Sequence, residues 1–284
     1  MVERTEFRPN RVPCLPLSHG PQRAEAPAPG RNRLLAALPA EVYDHLLPDL
    51  EPFALPLGSV VQRPGERSAH VHFITSGIVS RMHVTEHGET AEFALTGREG
   101  VIGVASFLGG GSMTSHALVL CEGHSYRLPA RLVRREFGRD GPLPRLLLRY
   151  TLSLIAQTGQ ISACNRRHSL QQRLCRWLLS CLDRLPANEL LMTHALIAEM
   201  LGVRREGVSE SAGILEDEGV IQCGRSHIAV IDRSGLEARA CECHAILQDM
   251  DDGLLPGYRT VASCFDRAPI PNSHRSTNRI AVRG

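Results

Sequence analysis

The spacing of the apolar residues changes at Pro129, and this change divides the chain into two differently built parts. Between residues 50 and 129, glycine or proline separates short apolar segments roughly every 8–12 residues, as in an antiparallel sandwich or barrel. After Pro129 the apolar residues recur every three or four positions, which is the period of a helix. The sequence therefore predicts an α+β protein in which an N-terminal antiparallel β jelly roll precedes a helical part.

Length and composition allow about two domains with buried cores, because the chain has 284 residues of which 43% are hydrophobic. The net charge is only +2, so any contact with nucleic acid must come from a local patch. A short helix between Asn32 and Pro48, interrupted at Pro39, is expected before the strands. We predict a disordered arm (1–30), a β barrel domain (31–138), a long helix (139–165), a further helical domain (166–245) and a tail (246–284).

The segment from Pro142 to about Cys164 has the spacing of a coiled-coil helix. Its apolar residues advance by four, three, four and seven positions. Packing against the chain's own β domain and pairing in a two-fold dimer would both bury this stripe, and periodicity alone does not choose between them. The candidate dimer residues are Leu143, Leu147, Tyr150, Leu154 and Ile161.

Residues 191–215 have the pattern of two short helices joined by a tight turn. Thr193 can cap the first helix through its hydroxyl, and Gly202 lies where the chain must turn. The second helix is expected to begin at Arg204 or Arg205. The apolar residues that join the two helices are Ile197, Met200, Leu201, Val208, Ala212 and Leu215. This pattern is typical of a helix-turn-helix, although a purely structural helical hairpin would also satisfy it.

The polar residues at the start of the second helix favour DNA as a partner. Arg205 and Glu206 carry groups that pair with base edges in the major groove, and Ser209 can reach a base or a phosphate. A hairpin predicted after this helix would form a wing with Arg225 at its tip. A solvated charged face is the alternative interpretation. The candidate DNA-contacting residues are Thr193, Arg204, Arg205, Glu206, Ser209 and Arg225.

A β barrel, a long helix and a winged helix-turn-helix in this order resemble the Crp–Fnr family of bacterial transcription regulators. The resemblance covers about residues 32–245 and is strongest over 191–210, which reads LMTHALIAEMLGVRREGVSE. It implies that Arg205 and Glu206 read a half-site, whereas Glu210 departs from the arginine that many members carry. It also implies a cytoplasmic homodimer paired through the long helix, with double-stranded DNA and RNA polymerase as partners.

The β domain resembles the family's effector domain through Gly58, Gly65, Gly77 and Gly103. Family members that bind cyclic nucleotides use a Gly-Glu pair for the ribose and an Arg-Ser pair for the cyclic phosphate. Here the corresponding candidate pocket residues are Gly103, Val104, Thr114 and Ser115. Without the carboxylate and the guanidinium, cyclic AMP is not expected, and the effector is unidentified. An iron–sulfur sensor is not expected either, because Cys14 is the only cysteine near the N-terminus.

Two histidines near the start of the β domain offer a competing interpretation. His70 and His72 alternate along an expected strand, so both rings can face one metal ion as in a cupin. His116 or His124 would have to supply a third ligand, but neither lies in a matching motif. Ordinary polar strand residues are therefore favoured over a cupin-like metal enzyme, and a ligand-binding protein with a vestigial helix-turn-helix is the other alternative.

The nine cysteines are scattered and odd in number, which argues for a reducing cytoplasm rather than a disulfide framework. Cys241 and Cys243 are close enough in sequence to hold a soft metal or to report redox state. One intervening residue is tight for chelation and no second pair is obvious, so a structural or incidental role is predicted. The core cysteines are expected to be Cys164, Cys175, Cys181 and Cys223. We therefore predict no metal, no cofactor, no catalytic site and no membrane span.

Overall fold

The computed structural model describes residues 26–253, so most of the predicted arm and of the predicted tail lies outside the described residues. The strands are β1 (Glu51–Leu55), β2 (Val60–Gln62), β3 (His70–Val84), β4 (Thr90–Thr96), β5 (Val101–Ile102), β6 (His116–Pro129), β7 (Glu189–Leu190), β8 (Ile221–Cys223) and β9 (Ile228–Val230). The α-helices are α1 (Arg33–Ala36), α2 (Ala40–Leu46), α3 (Ala130–Phe137), α4 (Pro142–Arg167), α5 (Leu170–Leu182), α6 (His194–Leu201), α7 (Arg205–Asp217), α8 (Arg233–Arg239) and α9 (Cys243–Asp252). The predicted break at Pro39 separates α1 from α2.

The N-terminal strands form one antiparallel sheet in the order β1-β6-β3-β4, with β2 paired to β6 and β5 paired to β3. Strands β3 and β6 pair along almost their whole lengths, from His70 opposite Pro129 to Met82 opposite His116. In the described part of the chain this domain has six strands, fewer than the eight or so apolar segments of its sequence. The segments on the two sides of Gly77 form one strand, β3, and those on the two sides of Gly123 form another, β6.

Two glycines explain why these long strands bend without ending. Gly77 has a φ of +80°, and a Cβ there would lie 2.6 Å from the carbonyl oxygen of Cys121. A Cβ at Gly123, on the opposite strand, would overlap the carbonyl group of Ser76. The β3–β6 register shifts at this point, as in a β-bulge. The sheet thereby curves around an apolar cluster that includes Leu55 and Val119.

The long helix buries the face that was predicted to form the dimer seam, so that prediction requires correction. Leu143, Leu147, Tyr150 and Ile161 are no more than 5% exposed within a single chain, and Leu154 is half-buried. The first three pack in a cluster that includes Phe73, Val101 and Val133 of the β domain. Periodicity could not distinguish the faces because α4 is apolar on two sides. The exposed side carries Leu148, Leu152 and Ile155, which are 49%, 67% and 65% exposed.

Helix α5 joins the β domain to the C-terminal domain. Ser169 caps this helix in a capping box with Gln172. The side chain of Trp177 is completely buried in a core cluster that contains residues of β3, β4 and β6 together with the helix-turn-helix. One continuous core therefore connects the two domains.

The final helix extends past the predicted domain boundary at residue 245. Helix α9 continues to Asp252, where the sequence shows no clear apolar period. Its carboxylate Asp251 accepts from the Arg184 guanidinium over 2.6 Å, and Arg184 also pairs with Glu99 of the β domain over 2.7 Å. This charged contact docks α9 at the domain junction. Within residues 26–253, no helix combines the length and the apolar character that a bilayer crossing needs.

Candidate nucleic-acid interface

Helices α6 and α7 form the helix-turn-helix that the sequence predicts. The Thr193 hydroxyl caps α6 by accepting from the backbone N–H of Leu196 over 3.2 Å. Gly202 turns the chain in the left-handed region, with φ +63° and ψ +45°. Val208 and Ala212, on α7, are completely buried in the core that they share with α6.

The start of α7 faces solvent. Arg204 occupies the N-cap position, and Arg205, Glu206 and Ser209 follow on the exposed side of the helix. Gly207 instead faces α5, since a Cβ there would lie 2.8 Å from a methyl group of Leu170. The orientation of α7 therefore leaves its polar N-terminal side free to enter a groove.

The structure adds His194 to this surface, a residue that the sequence analysis did not select. Its Nδ1 lies 3.1 Å from the Ser209 hydroxyl, so the two side chains share a hydrogen bond between α6 and α7. Burial lowers the pKa of His194, and the nearby Arg205 lowers it further. Both effects favour the neutral ring, although Glu216 opposes them, and the hydrogen bond holds the Ser209 hydroxyl against this ring. The clue in the sequence is its position at the first turn of a capped helix, which is too weak a signal to identify it alone.

The predicted wing is present as the hairpin of β8 and β9, with β7 completing a three-stranded sheet. Arg225 is exposed in the connecting turn. Arg204, Arg205 and Arg225 form no ion pair with any other residue between 26 and 253. By contrast, the acidic end of α7 is engaged, because Glu218 pairs with Arg239 over 2.6 Å. The described part of the domain thus has exposed, unpaired arginines both at the start of α7 and in the turn of the wing.

The helix-turn-helix also contacts the β domain directly. The Thr90 hydroxyl, on β4, donates to the carbonyl oxygen of Glu199 at 2.9 Å. A Cβ at Gly202 would lie 3.5 Å from the carbonyl oxygen of Thr90. The position of the DNA-facing helices is therefore tied to strand β4 of the effector-like domain.

The residues that the resemblance assigns to an effector pocket lack a cationic group for a phosphate. Gly103, with φ +102°, begins a short turn whose next residue, Val104, is 3% exposed and packs in the core. Thr114 is exposed, whereas Ser115 is buried. This arrangement offers neither a carboxylate for a ribose nor a guanidinium for a cyclic phosphate.

His70 and His72 lie on the same face of β3, but they do not assemble a cupin-like metal site. Their ring centroids are 6.4 Å apart, and burial lowers the pKa of His72 to about 4. His116 and His124 lie further along the sheet, opposite Met82 and Ser76. His70 and His72 line a cleft of about 290 Å³ that also contains Arg63, Arg67 and Arg127, whose charges oppose a cation.

Comparison with known proteins agrees with this architecture. Two family models match the chain, the Crp-like helix-turn-helix domain over residues 172–239 and the cyclic nucleotide-binding domain over residues 52–140. The global nitrogen regulator of Nostoc sp. is 28% identical over 177 residues, which are 59% of this chain and 79% of that protein. The corresponding regulator of Synechococcus elongatus is 26% identical over 184 residues, which are 62% of this chain and 83% of that protein.

A solved structure supports the same fold. FixK2 from Bradyrhizobium japonicum superimposes with a TM-score of 0.59 at 19% identity, over 68% of this chain and 98% of that chain. The order of the matched domains, the helix-turn-helix geometry and the unpaired arginines lead to one conclusion. The chain belongs to the Crp–Fnr family of DNA-binding transcription regulators.

Proposed function

We propose that this protein binds a specific operator in double-stranded DNA as a homodimer and regulates transcription from it. The observation that carries the proposal is the exposure of Arg205 and Glu206 at the start of α7, immediately after the Gly202 turn. In this geometry, Arg205 holds guanine O6 and N7, and Glu206 accepts from a cytosine amino group. Ser209 contacts a base or a phosphate from the position that His194 gives it.

Three further groups hold the phosphate backbone and position the reading helix. Arg204 precedes α7 and Arg225 lies at the tip of the wing, where each can neutralise a phosphate. Thr193 caps the N-terminus of α6, whose backbone N–H groups favour an anion. These contacts supply affinity without base preference.

We further propose that two protomers pair along the exposed face of α4. Leu148, Leu152 and Ile155 advance by four and three positions, and Gly159 and Ser162 continue the same spacing on the exposed side. The small residues at the end of this stripe allow two helices to approach closely. Pairing about a two-fold axis would present two copies of α7 to successive major grooves.

The remaining partners follow from the family. The protein acts in the cytoplasm, where it contacts RNA polymerase at the promoter. Its effector is not cyclic AMP, because Val104 and the Thr114-Ser115 pair replace the charged groups that such a ligand needs.

Selection from a random duplex library by the purified full-length protein tests this function. The expected result is enrichment of an inverted repeat whose half-sites lie about 10 base pairs apart, centre to centre. The same selection with Arg205→Ala serves as the matched comparison and should lose preference at one position of each half-site. Sequence-specific binding would be refuted if the wild type and Arg205→Ala both recovered unrelated fragments. Both proteins would then bind DNA only with the salt-sensitive affinity of non-specific binding.

A further inference from the structure

Four potential metal ligands meet where the long helix ends and the C-terminal helix begins. Cys164 lies in the last turn of α4 and His168 is the residue that follows this helix, whereas Cys243 begins α9 and Cys241 lies two residues before it. Their ligand atoms all lie within 4.8 Å of one another, and no other such group of ligands occurs between residues 26 and 253. The sequence shows no second pair of ligands near Cys241 and Cys243, whereas folding brings Cys164 and His168 beside them.

The distances match a tetrahedral site for one soft metal ion. The Sγ atoms of Cys164 and Cys241 are 3.6 Å apart, and Cys243 Sγ is 3.6 Å from His168 Nδ1. Zinc–sulfur bonds of about 2.3 Å at tetrahedral angles place two sulfur ligands roughly 3.8 Å apart. The three thiols are at most 5% exposed. Such a site has four protein ligands and no open position, as in structural zinc centres.

A second layer of side chains orients the ligands. His168 Nε2 lies 3.2 Å from a carboxylate oxygen of Glu242, so Nδ1 is left to face the cysteines. A ligating histidine commonly donates its other ring N–H to a carboxylate in this way. The Gln160 amide lies one turn before Cys164 on α4 and donates to Cys243 Sγ over 3.0 Å. Hydrogen bonds to sulfur favour the thiolate form that binds a metal ion.

Nearby charge also suits this ion. Three thiolates and one neutral imidazole around Zn²⁺ carry a net charge of about −1. The guanidinium of Arg176 interacts electrostatically with Cys164, is 2% exposed, and has an Nε without a hydrogen-bond partner among the described residues. A buried cation beside an anionic metal centre offsets part of the cost of burying both.

We propose that Cys164, His168, Cys241 and Cys243 bind a single Zn²⁺ ion that clamps the DNA-binding domain to the end of the long helix. Binding releases the thiol protons to solvent and changes no oxidation state. Because α4 carries the proposed dimer face and α9 follows the winged domain, the ion would hold these two parts together. This proposal does not depend on the DNA-binding residues and can fail separately from them.

Two other uses of these cysteines predict different geometry. An iron–sulfur cluster separates its ligands by the size of the cluster, whereas these ligand atoms already lie within 4.8 Å of one another. A disulfide between Cys164 and Cys241 would use two cysteines and leave the paired arrangement of Cys243, His168 and Glu242 without a role. The tetrahedral ion uses all four groups.

Metal titration of the full-length protein tests the site. Protein reduced and stripped of metal under nitrogen is titrated with Zn²⁺ alone against a chromophoric chelator, and separately with Co²⁺. The expected result is about one Zn²⁺ per chain and a cobalt spectrum with thiolate charge transfer and tetrahedral bands. The cobalt spectrum needs no substitution and therefore tests the site even if a variant fails to fold.

Substitutions locate the ion. Cys241→Ser with Cys243→Ser should abolish stoichiometric binding, and chelator should lower the Tm of the wild type but not of this variant. Cys223→Ser is the matched control, because Cys223 is a half-buried cysteine of the wing outside the cluster, and it should bind zinc like the wild type. The proposal is overturned by unchanged zinc binding in the double variant, by no uptake of either metal, by iron with acid-labile sulfide, or by a Cys164–Cys241 disulfide in protein kept reduced.

Discussion

The indole N–H of Trp177 donates a hydrogen bond of 2.8 Å to the carboxyl group of Glu92. This bond joins α5 to strand β4, and both side chains are buried at the junction of the two domains. The Ser80 hydroxyl donates to the other carboxyl oxygen over 2.7 Å. Burial raises the pKa of Glu92 to about 7, although the hydrogen bond from Ser80 opposes the shift.

Glu92→Gln should flatten the pH dependence of stability. The pKa of Glu92 is higher in the folded protein than in the unfolded chain, so its protonated form stabilises the fold fully below about pH 4.5. That contribution is lost as the pH rises through about 7. Urea unfolding across this pH range should show that the unfolding free energy of the wild type falls by up to roughly 3 kcal/mol relative to that of the variant. Parallel profiles for the two proteins would contradict a buried titrating carboxyl group.

Arg205→Ala should weaken binding to the selected operator by about 1–3 kcal/mol and relax preference at one base pair of each half-site. The loss arises because removal of the guanidinium leaves the acceptor atoms of the base edge without a hydrogen-bond partner. Fluorescence anisotropy with the operator and with single-base variants measures both effects. Arg139→Ala removes an exposed arginine next to α3 and should leave affinity unchanged. Equal affinity of Arg205→Ala and wild type would remove the base-reading role.

Leu152→Glu should convert the proposed dimer to a folded monomer, because the Leu152 side chain is 67% exposed on the proposed pairing face. Leu147→Ala is the contrasting change on the opposite side of α4, where the side chain is completely buried. It should cost about 2–5 kcal/mol of folding stability. Sedimentation with thermal unfolding separates the two outcomes. A persistent Leu152→Glu dimer would exclude this face.

Gly202→Ala should destabilise the C-terminal domain by about 1–2 kcal/mol, because a Cβ is disfavoured at a φ of +63°. Steric contact adds little, since the nearest heavy atom to the added Cβ would be 3.5 Å away. Denaturant unfolding measures the loss. Gly213→Ala, within α7 and with no neighbour inside 4 Å, should instead stabilise by about 0.5–1 kcal/mol. A neutral or stabilising effect of Gly202→Ala would show that the turn does not need a glycine.

Arg225→Ala should weaken binding to every duplex by a similar factor if, as proposed, the wing contacts phosphate rather than bases. Measured against salt concentration, the slope of log K should decrease in magnitude by about 1. His227→Ala alters the same turn without removing a formal cation and provides the control. If the loss of affinity depended on the DNA sequence, Arg225 would contact base edges in a groove rather than a phosphate.

The helix-turn-helix could be predicted because its signals are local. The Thr193 cap, the Gly202 turn and the apolar positions of α7 all lie within a short segment, and each follows from backbone chemistry. The outward face of α4 could not be predicted, since Leu147 and Leu148 are adjacent leucines with opposite exposure. Only the packing of the β domain decides which of them is covered.

The cysteine cluster was beyond local reasoning for a different reason. Cys164 and Cys241 are 77 residues apart, so their proximity depends on how α9 docks on the helix that precedes the DNA-binding domain. The sequence suggests two separate strands on the two sides of Gly77, because a glycine with positive φ usually ends a strand. Here it permits a bend within one.

The pairing of β3 with β6, across the bend at Gly77 and Gly123, has a consequence for synthesis on the ribosome. Ser76 and His124, which share a hydrogen bond, are 48 residues apart in sequence, so β3 leaves the exit tunnel well before its main partner exists. Until β6 emerges, the edge of β3 is an unsatisfied template for pairing with another nascent chain. Slow translation of the segment between these strands would lengthen that exposure, and a holding chaperone would be most useful during this interval.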